Sequence, residues 1–154
     1  MKHESLNYNI LDIADYFLHK DEMTNKKLQK MCYYAYSWHL ALFGRRLFNE
    51  QFQAWIHGPV SPLLYHEYKV HGWSPITKSV SEFNLSKETQ SFLNDVFDSY
   101  GHLTGDELEY ITHQEDPWIT ARQGLDDLSP CKNIIDDEII EKFYKSTMEE
   151  SQIE

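Results

Sequence analysis

Residues 52–72 read FQAWIHGPVSPLLYHEYKVHG, and three histidines, His57, His66 and His71, fall inside them. Clustered histidines suggest zinc, and the zincin pattern needs two of them four apart, so that both rings leave one helix face. His66 and His71 are five apart, a rotation of about 500° that leaves the rings about 140° from each other. The spacing favours surface or turn positions over a metal site. Cys32 and Cys131 have no CxxC partner, and Cys32 sits in an apolar run where it reads as a small core residue. No metal and no cofactor is expected.

A second candidate is THQED, residues 112–116. His113 with Glu115 or Asp116 has the groups of a general base. The same segment also reads as a polar turn between helices, with Asp116 as a cap before Pro117, and that reading is preferred. No serine or cysteine nucleophile has a recognisable setting, and no glycine-rich phosphate loop is present. An enzyme is therefore not expected.

Recognition chemistry remains. Trp55, Tyr65 and Tyr68 flank the turn at Gly58–Pro62. A proline-stiffened turn lowers the entropy cost of presenting a surface, and Trp and Tyr are frequent interface anchors. Trp38 falls on an apolar helix face and reads as core. For Trp55, which alternates with Ala54 and Ile56, the pattern does not decide the side. The candidate partner-binding residues are Trp55, His57, Pro59, Val60, Tyr65, Tyr68, His113 and Trp118.

The elements that must position them are mostly helical. Asn9 caps a helix with Ile10, Ile13, Phe17 and Leu18 on one face. Thr24 caps a longer one that Gly44 ends, and its stretch from Met31 to Phe43 is apolar on nearly every side, as in a central helix. Alternation around residues 46–57 predicts a short hairpin or ribbon that Gly58-Pro59 breaks. Ser61 caps a helix beginning at Pro62, and Gly72 ends it. The loop 73–85 has room for a short strand. Ser86 caps the next helix, and Thr104 with Glu107 forms a capping box. A helix after Asp116 runs to about Gly124. The last opens at Asp136-Asp137-Glu138, with Ile139, Ile140 and Phe143 inside, and an acidic tail, 149–154, frays from it. The fold class is mainly α with a minor β element, one domain over residues 1–148.

The chain has 154 residues and a formal net charge of −11. Residues 1–46 carry seven Lys/Arg against five Asp/Glu, and residues 86–154 five against seventeen. Such a surface repels phosphate backbones, which argues against direct nucleic-acid binding, and suits a basic protein partner. Lys26, Lys27 and Lys30, with Arg45 and Arg46 nearby, read as a solvated face. The first residues have no apolar signal core and no run is long enough to span a membrane. A soluble cytoplasmic protein with reduced cysteines is expected.

Three blocks resemble a known family. They are LQKMCYYAYSWHLALFG, LFNEQFQAWIHGPVSPLLYHEYK and THQEDPW, in that order between about Asn9 and Gly124. The chain resembles the Panacea domain, which includes SocA-like antitoxins and phage-associated proteins of the GepA type. The most specific part is Ala54-Trp55 followed by Gly58-Pro59-Val60 and Pro62. Leu28-Gln29-Lys30 and Thr112-His113 with Glu115, Pro117 and Trp118 complete it. Met31-Cys32 and Ile56-His57 depart from the usual residues, which leaves the partner's identity open. The resemblance implies a helical antitoxin of a toxin-antitoxin system, neutralising by direct binding a protein toxin encoded by a neighbouring gene. As an alternative it implies a proteolytic adaptor that delivers its partner to a protease, or a prophage accessory protein, binding a partner without neutralising it, and it gives no catalytic residue to carry over.

Overall fold

The computed structural model describes residues 5–153. In chain order these form β1 (Ser5–Tyr8), α1 (Ile10–Lys20), α2 (Asn25–Phe43), β2 (Arg46–Phe48), β3 (Gln53–Trp55), β4 (Gly58–Val60) and α3 (Pro62–Tyr68). A 3₁₀ turn at Lys69–His71 follows, then α4 (Lys87–Tyr100), α5 (Gly105–Thr112), α6 (Asp116–Ala121) and α7 (Asp137–Ile153). The class is the expected one, mainly helical with a small β component.

α2 is the axis. Every residue from Leu28 to Ser37 is buried, and α1, α3, α4, α5, α7, β2 and β4 all pack on it. A helix apolar all round is stable only with neighbours on several sides. Thr24 accepts from the Lys27 N–H at its start, and Gly44 closes it in the left-handed region at φ 67°. The capping boxes Asn9/Asp12 and Thr104/Glu107 both form, as does the Ser86 cap. Aromatic rings fill much of the core: Tyr34 stacks on Tyr100 with centroids 4.0 Å apart, and Tyr33 meets Phe52 edge-on at 5.4 Å. Such contacts add about 0.5–1.5 kcal/mol each beyond burial.

The ribbon differs in its pairing. β2 does not fold back on β3 but runs parallel to β1. The hairpin lies four to five residues further on, where Gln53, Ala54 and Trp55 pair antiparallel with Val60, Pro59 and Gly58. Gly58-Pro59 therefore sits inside strand β4 instead of breaking a strand. Proline fits there because β4 is short and donates little to its ladder. The other edge of β3 is covered by the chain at 133–135, through Ala54 N–H to the Asn133 carbonyl and Ile135 N–H to the Phe52 carbonyl. The loop 73–85 contributes a single bridge, Ile76 to Met23.

Two helix starts differ from the expected caps. Ser61 occupies the cap position of α3, but its hydroxyl is buried without a partner. Glu115, not Asp116, precedes α6, and that helix ends at Ala121 rather than near Gly124. Asp137 is buried at the start of α7, where it accepts from Tyr36 Oη at 2.6 Å and from Arg46 at 2.7 and 2.8 Å. α7 continues as helix to Ile153, through most of the segment expected to fray; Glu154 lies outside the described residues. Among the described residues no helix is long and apolar enough to cross a membrane.

Candidate functional site

The hairpin β3–β4 is held from three directions. From below, Gln29 on α2 brackets Ser61: the Ser61 N–H donates to Gln29 Oε1 at 2.9 Å, and Gln29 Nε2 donates to the Ser61 carbonyl at 3.4 Å. From α6, Trp118 Nε1 donates to the Trp55 carbonyl at 2.8 Å. From the end of α6, Arg122 Nη1 donates to the Ala54 carbonyl at 2.7 Å. Arg122 is 2% exposed, stacks its guanidinium 4.7 Å from the Trp118 ring centre, and also donates to the Asp126 and Ser129 carbonyls. This fork ties the hairpin to the loop after α6.

The turn leaves no room for a side chain at position 58. Gly58 has φ 108°, and a Cβ there would meet Lys30 Cε at 2.7 Å, Thr112 Oγ1 at 3.0 Å and Lys30 Nζ at 3.3 Å. Glycine serves both the backbone conformation and the passage of the lysine beneath it. The solvated basic face expected from Lys26, Lys27 and Lys30 does not exist as such. Lys30 is 1% exposed, and burial pushes its ammonium down to about 7. Lys26 pairs with Asp106 and Glu109, and Lys27 donates to the Gly101 carbonyl. A helix packed on all sides cannot offer Lys26, Lys27 and Lys30 together to water.

Above this frame lies an open cavity of about 190 Å³ between α2, the hairpin, α3 and the corner at Gly72-Trp73. Trp55 and Tyr65 form one wall, with ring centres 5.1 Å apart. Trp73 closes the rim, 5.9 Å from the His57 ring and 6.0 Å from Lys26 Nζ. Asn25, Gln29, Lys30 and Val60 form the floor. His57 Nδ1 lies 3.1 Å from Glu109 Oε1. A second, apolar cavity flanks the same turn, between Trp55, Ile56 and His57 on one side and Pro130, Cys131 and Lys132 on the other.

The eight candidate residues do not share one surface. Trp55, His57 and Tyr65 reach the surface together at the cavity mouth. Pro59, Val60 and Trp118 are buried behind them. Tyr68 is 5% exposed and faces elsewhere, its hydroxyl shared between Lys78 Nζ and Asp15. His113 is half-buried and lies flat on Trp118, centroids 3.9 Å apart and planes 14° apart. Burial depresses its basicity and its Nε2 has no partner. Glu115 turns away from His113 and accepts from Tyr34 Oη and Tyr144 Oη, each at 2.8 Å. Burial raises its carboxyl above the usual range, opposed by those two hydroxyls. The two do not form a His–carboxylate pair. Among the described residues no three His, Cys, Asp or Glu side chains converge to hold a metal ion.

Two members of the site were not legible as such. Trp73, 73% exposed, opens a loop in which no spacing assigns a side chain to a face. Lys30 was hidden by its polar type. Arg122 lies one helical turn past Trp118, the spacing that places a guanidinium on a ring.

The three motif blocks thus meet at one place: Gln29 and Lys30 from the first, Trp55 and Gly58 from the second, Thr112 and Trp118 from the third. The model of the antitoxin SocA-like Panacea domain matches residues 28–119, more than half of the chain. The chain belongs to the Panacea family. No curated protein and no solved structure matches it. The Panacea segment opens at Leu28 inside α2 and closes at Ile119 inside α6, so it contains the hairpin with Gln29 and Trp118, while Arg122 and the 133–135 segment that also hold the hairpin lie beyond it. α1 and α7 lie outside it, yet Tyr144 on α7 completes the hydrogen bonds of Glu115 within it.

Proposed function

We propose that this Panacea protein is an antitoxin that neutralises a protein toxin, encoded by a neighbouring gene, by binding it directly in the cytoplasm. The observation that carries the reading is the convergence of the three family blocks on a hairpin whose Trp55, His57 and Tyr65 stand exposed or half-exposed beside Trp73. Aromatic residues on a rigid support make interface anchors, because little conformational entropy is lost when they are covered. The partner face comprises these four side chains, while Pro59, Val60, His113 and Trp118 hold them in place and Tyr68 serves the core. The acidic surface of the C-terminal half complements a basic toxin and speeds encounter with it.

The test is growth of a host expressing the neighbouring reading frame, with and without this chain. Toxicity of the neighbour alone, relieved on co-expression, supports the reading. Toxicity that persists on co-expression overturns it. If the chain instead shortens the lifetime of the neighbour's product without inhibiting it, an adaptor that hands a partner to a protease replaces it.

A further inference from the structure

The Lys30 side chain is buried at the floor of the cavity. It is 1% exposed, and among the described residues it has neither a hydrogen-bond acceptor nor a salt-bridge partner. Glu109, whose charge acts on it through space, commits Oε1 to Lys26 Nζ and to His57 Nδ1. The Thr112 hydroxyl donates to the Glu109 carbonyl, and among the described residues no hydrogen bond from Lys30 Nζ to its oxygen is present. An amine held largely out of water without an acceptor is costly, and an ion or ligand is one way to satisfy it. The Lys30 side chain lines the floor of the 190 Å³ cavity, whose walls are the rings of Trp55, Tyr65 and Trp73. Gly58 keeps the passage of its Cε and Nζ open.

We propose that this cavity binds a carboxylate carried on a flat apolar body, with Lys30 as the counter-ion and the three rings as the sleeve. Charge selects a monoanion. Lys26 is already neutralised by Asp106 and Glu109, and Lys69 stands exposed at the rim, so below about pH 7, where Lys30 carries its proton, the floor offers one uncompensated cation. A phosphate dianion calls for several donors and charges converging on it. Size selects a single-ring or indole-sized body, since cavities for larger ligands run from about 300 Å³ upward. The same chemistry comes from two sources, a free aryl acid or the C-terminal carboxylate of a chain ending in an aromatic residue. The site does not depend on antitoxin activity; it requires only that the cavity recognise this group.

The experiment titrates the full chain with indoleacetate and its neutral analogue indoleacetamide. A second arm uses a short peptide ending in Phe, as free acid and as amide. The readout is the indole N–H resonances of Trp55 and Trp73 in proton–nitrogen spectra, assigned by Trp→Phe variants. The acid is expected to shift both resonances and to bind about tenfold or more tightly than its amide, the worth of one charge-assisted hydrogen bond. In Lys30→Met the acid and the amide are expected to bind alike. Should that variant fail to fold, the acid–amide comparison in the unaltered chain decides alone. Preference for the small acid names a metabolite, and preference for the peptide acid names a chain terminus; either supports the site. Acid and amide binding equally to the unaltered chain, or neither acid moving the two resonances, overturns it.

Discussion

The indole of Trp118 donates from Nε1 to the backbone carbonyl of Trp55 at 2.8 Å, across 63 residues of sequence. A buried ring on α6 thus fixes the strand that presents a surface ring. Trp118→Phe keeps the stack on His113 and removes the donor, leaving a buried carbonyl with one partner fewer. The expected cost is about 1–2 kcal/mol, read as a lower urea midpoint with unchanged slope. A variant as stable as the parent would mean that the hairpin is held by Arg122 and Gln29 alone.

Gly58→Ala meets two obstacles, a φ of 108° and a contact of 2.7 Å with Lys30 Cε. The expected loss is about 1–3 kcal/mol, again by denaturant titration. Combining it with Lys30→Ala should recover the part due to the clash and leave the part due to the backbone. Full additivity of the two changes would place Lys30 away from the turn.

Lys30 also makes stability depend on pH. Its ammonium is lowered from 10.5 to about 7 by burial, with Lys26 nearby acting the same way and Glu109 opposing. Between about 7 and 10.5 the unfolded chain binds more protons at this site than the folded one, so the lysine's contribution rises with pH across that window. Below about 7 the penalty is fully in place. Lys30→Met is therefore expected to be more stable than the parent at pH 6, with the advantage shrinking by pH 9.5. Parallel pH profiles for the two proteins would contradict a buried, unpaired amine.

Asp137 binds the start of the last helix to the strand β2. It is 6% exposed and takes its hydrogen bonds from Arg46 and Tyr36. Arg46→Met leaves a buried carboxylate with only the tyrosine, and the expected cost is roughly 2–4 kcal/mol. The double variant Arg46→Met/Asp137→Asn should regain much of it. A single variant no less stable than the parent would show that α7 is not anchored there.

The helices were legible because their signals are local. Asn9, Thr24, Ser86 and Thr104 are caps followed by apolar spacing, and the central position of α2 followed from apolar residues on every side. The β pairing was less so. Short apolar runs at 46–48 and 52–56 suit several partners, and the choice of β1 for one and β4 for the other is made by tertiary packing. Of the candidate residues named from the sequence, Trp55, His57 and Tyr65 lie together at one cavity. Lys30 was misread for a physical reason: a lysine is usually solvated, and nothing in its neighbours in sequence announces that Gly58, from the hairpin, will cover it. Trp73 was missed because a loop without periodicity gives no basis for assigning it a face.

The proposed partner face is built on Trp55 and Tyr65. The most direct measurement is the affinity of the purified product of the neighbouring reading frame for the parent chain and for Trp55→Ala/Tyr65→Ala, by calorimetry. Tyr68→Phe serves as a control that leaves this face intact. The double variant should keep the parent's helical spectrum and bind at least about thirtyfold more weakly, the loss of roughly 2 kcal/mol typical of an anchor. The control should bind as the parent does. A folded double variant with unchanged affinity would contradict the account and move the partner to another face of the domain.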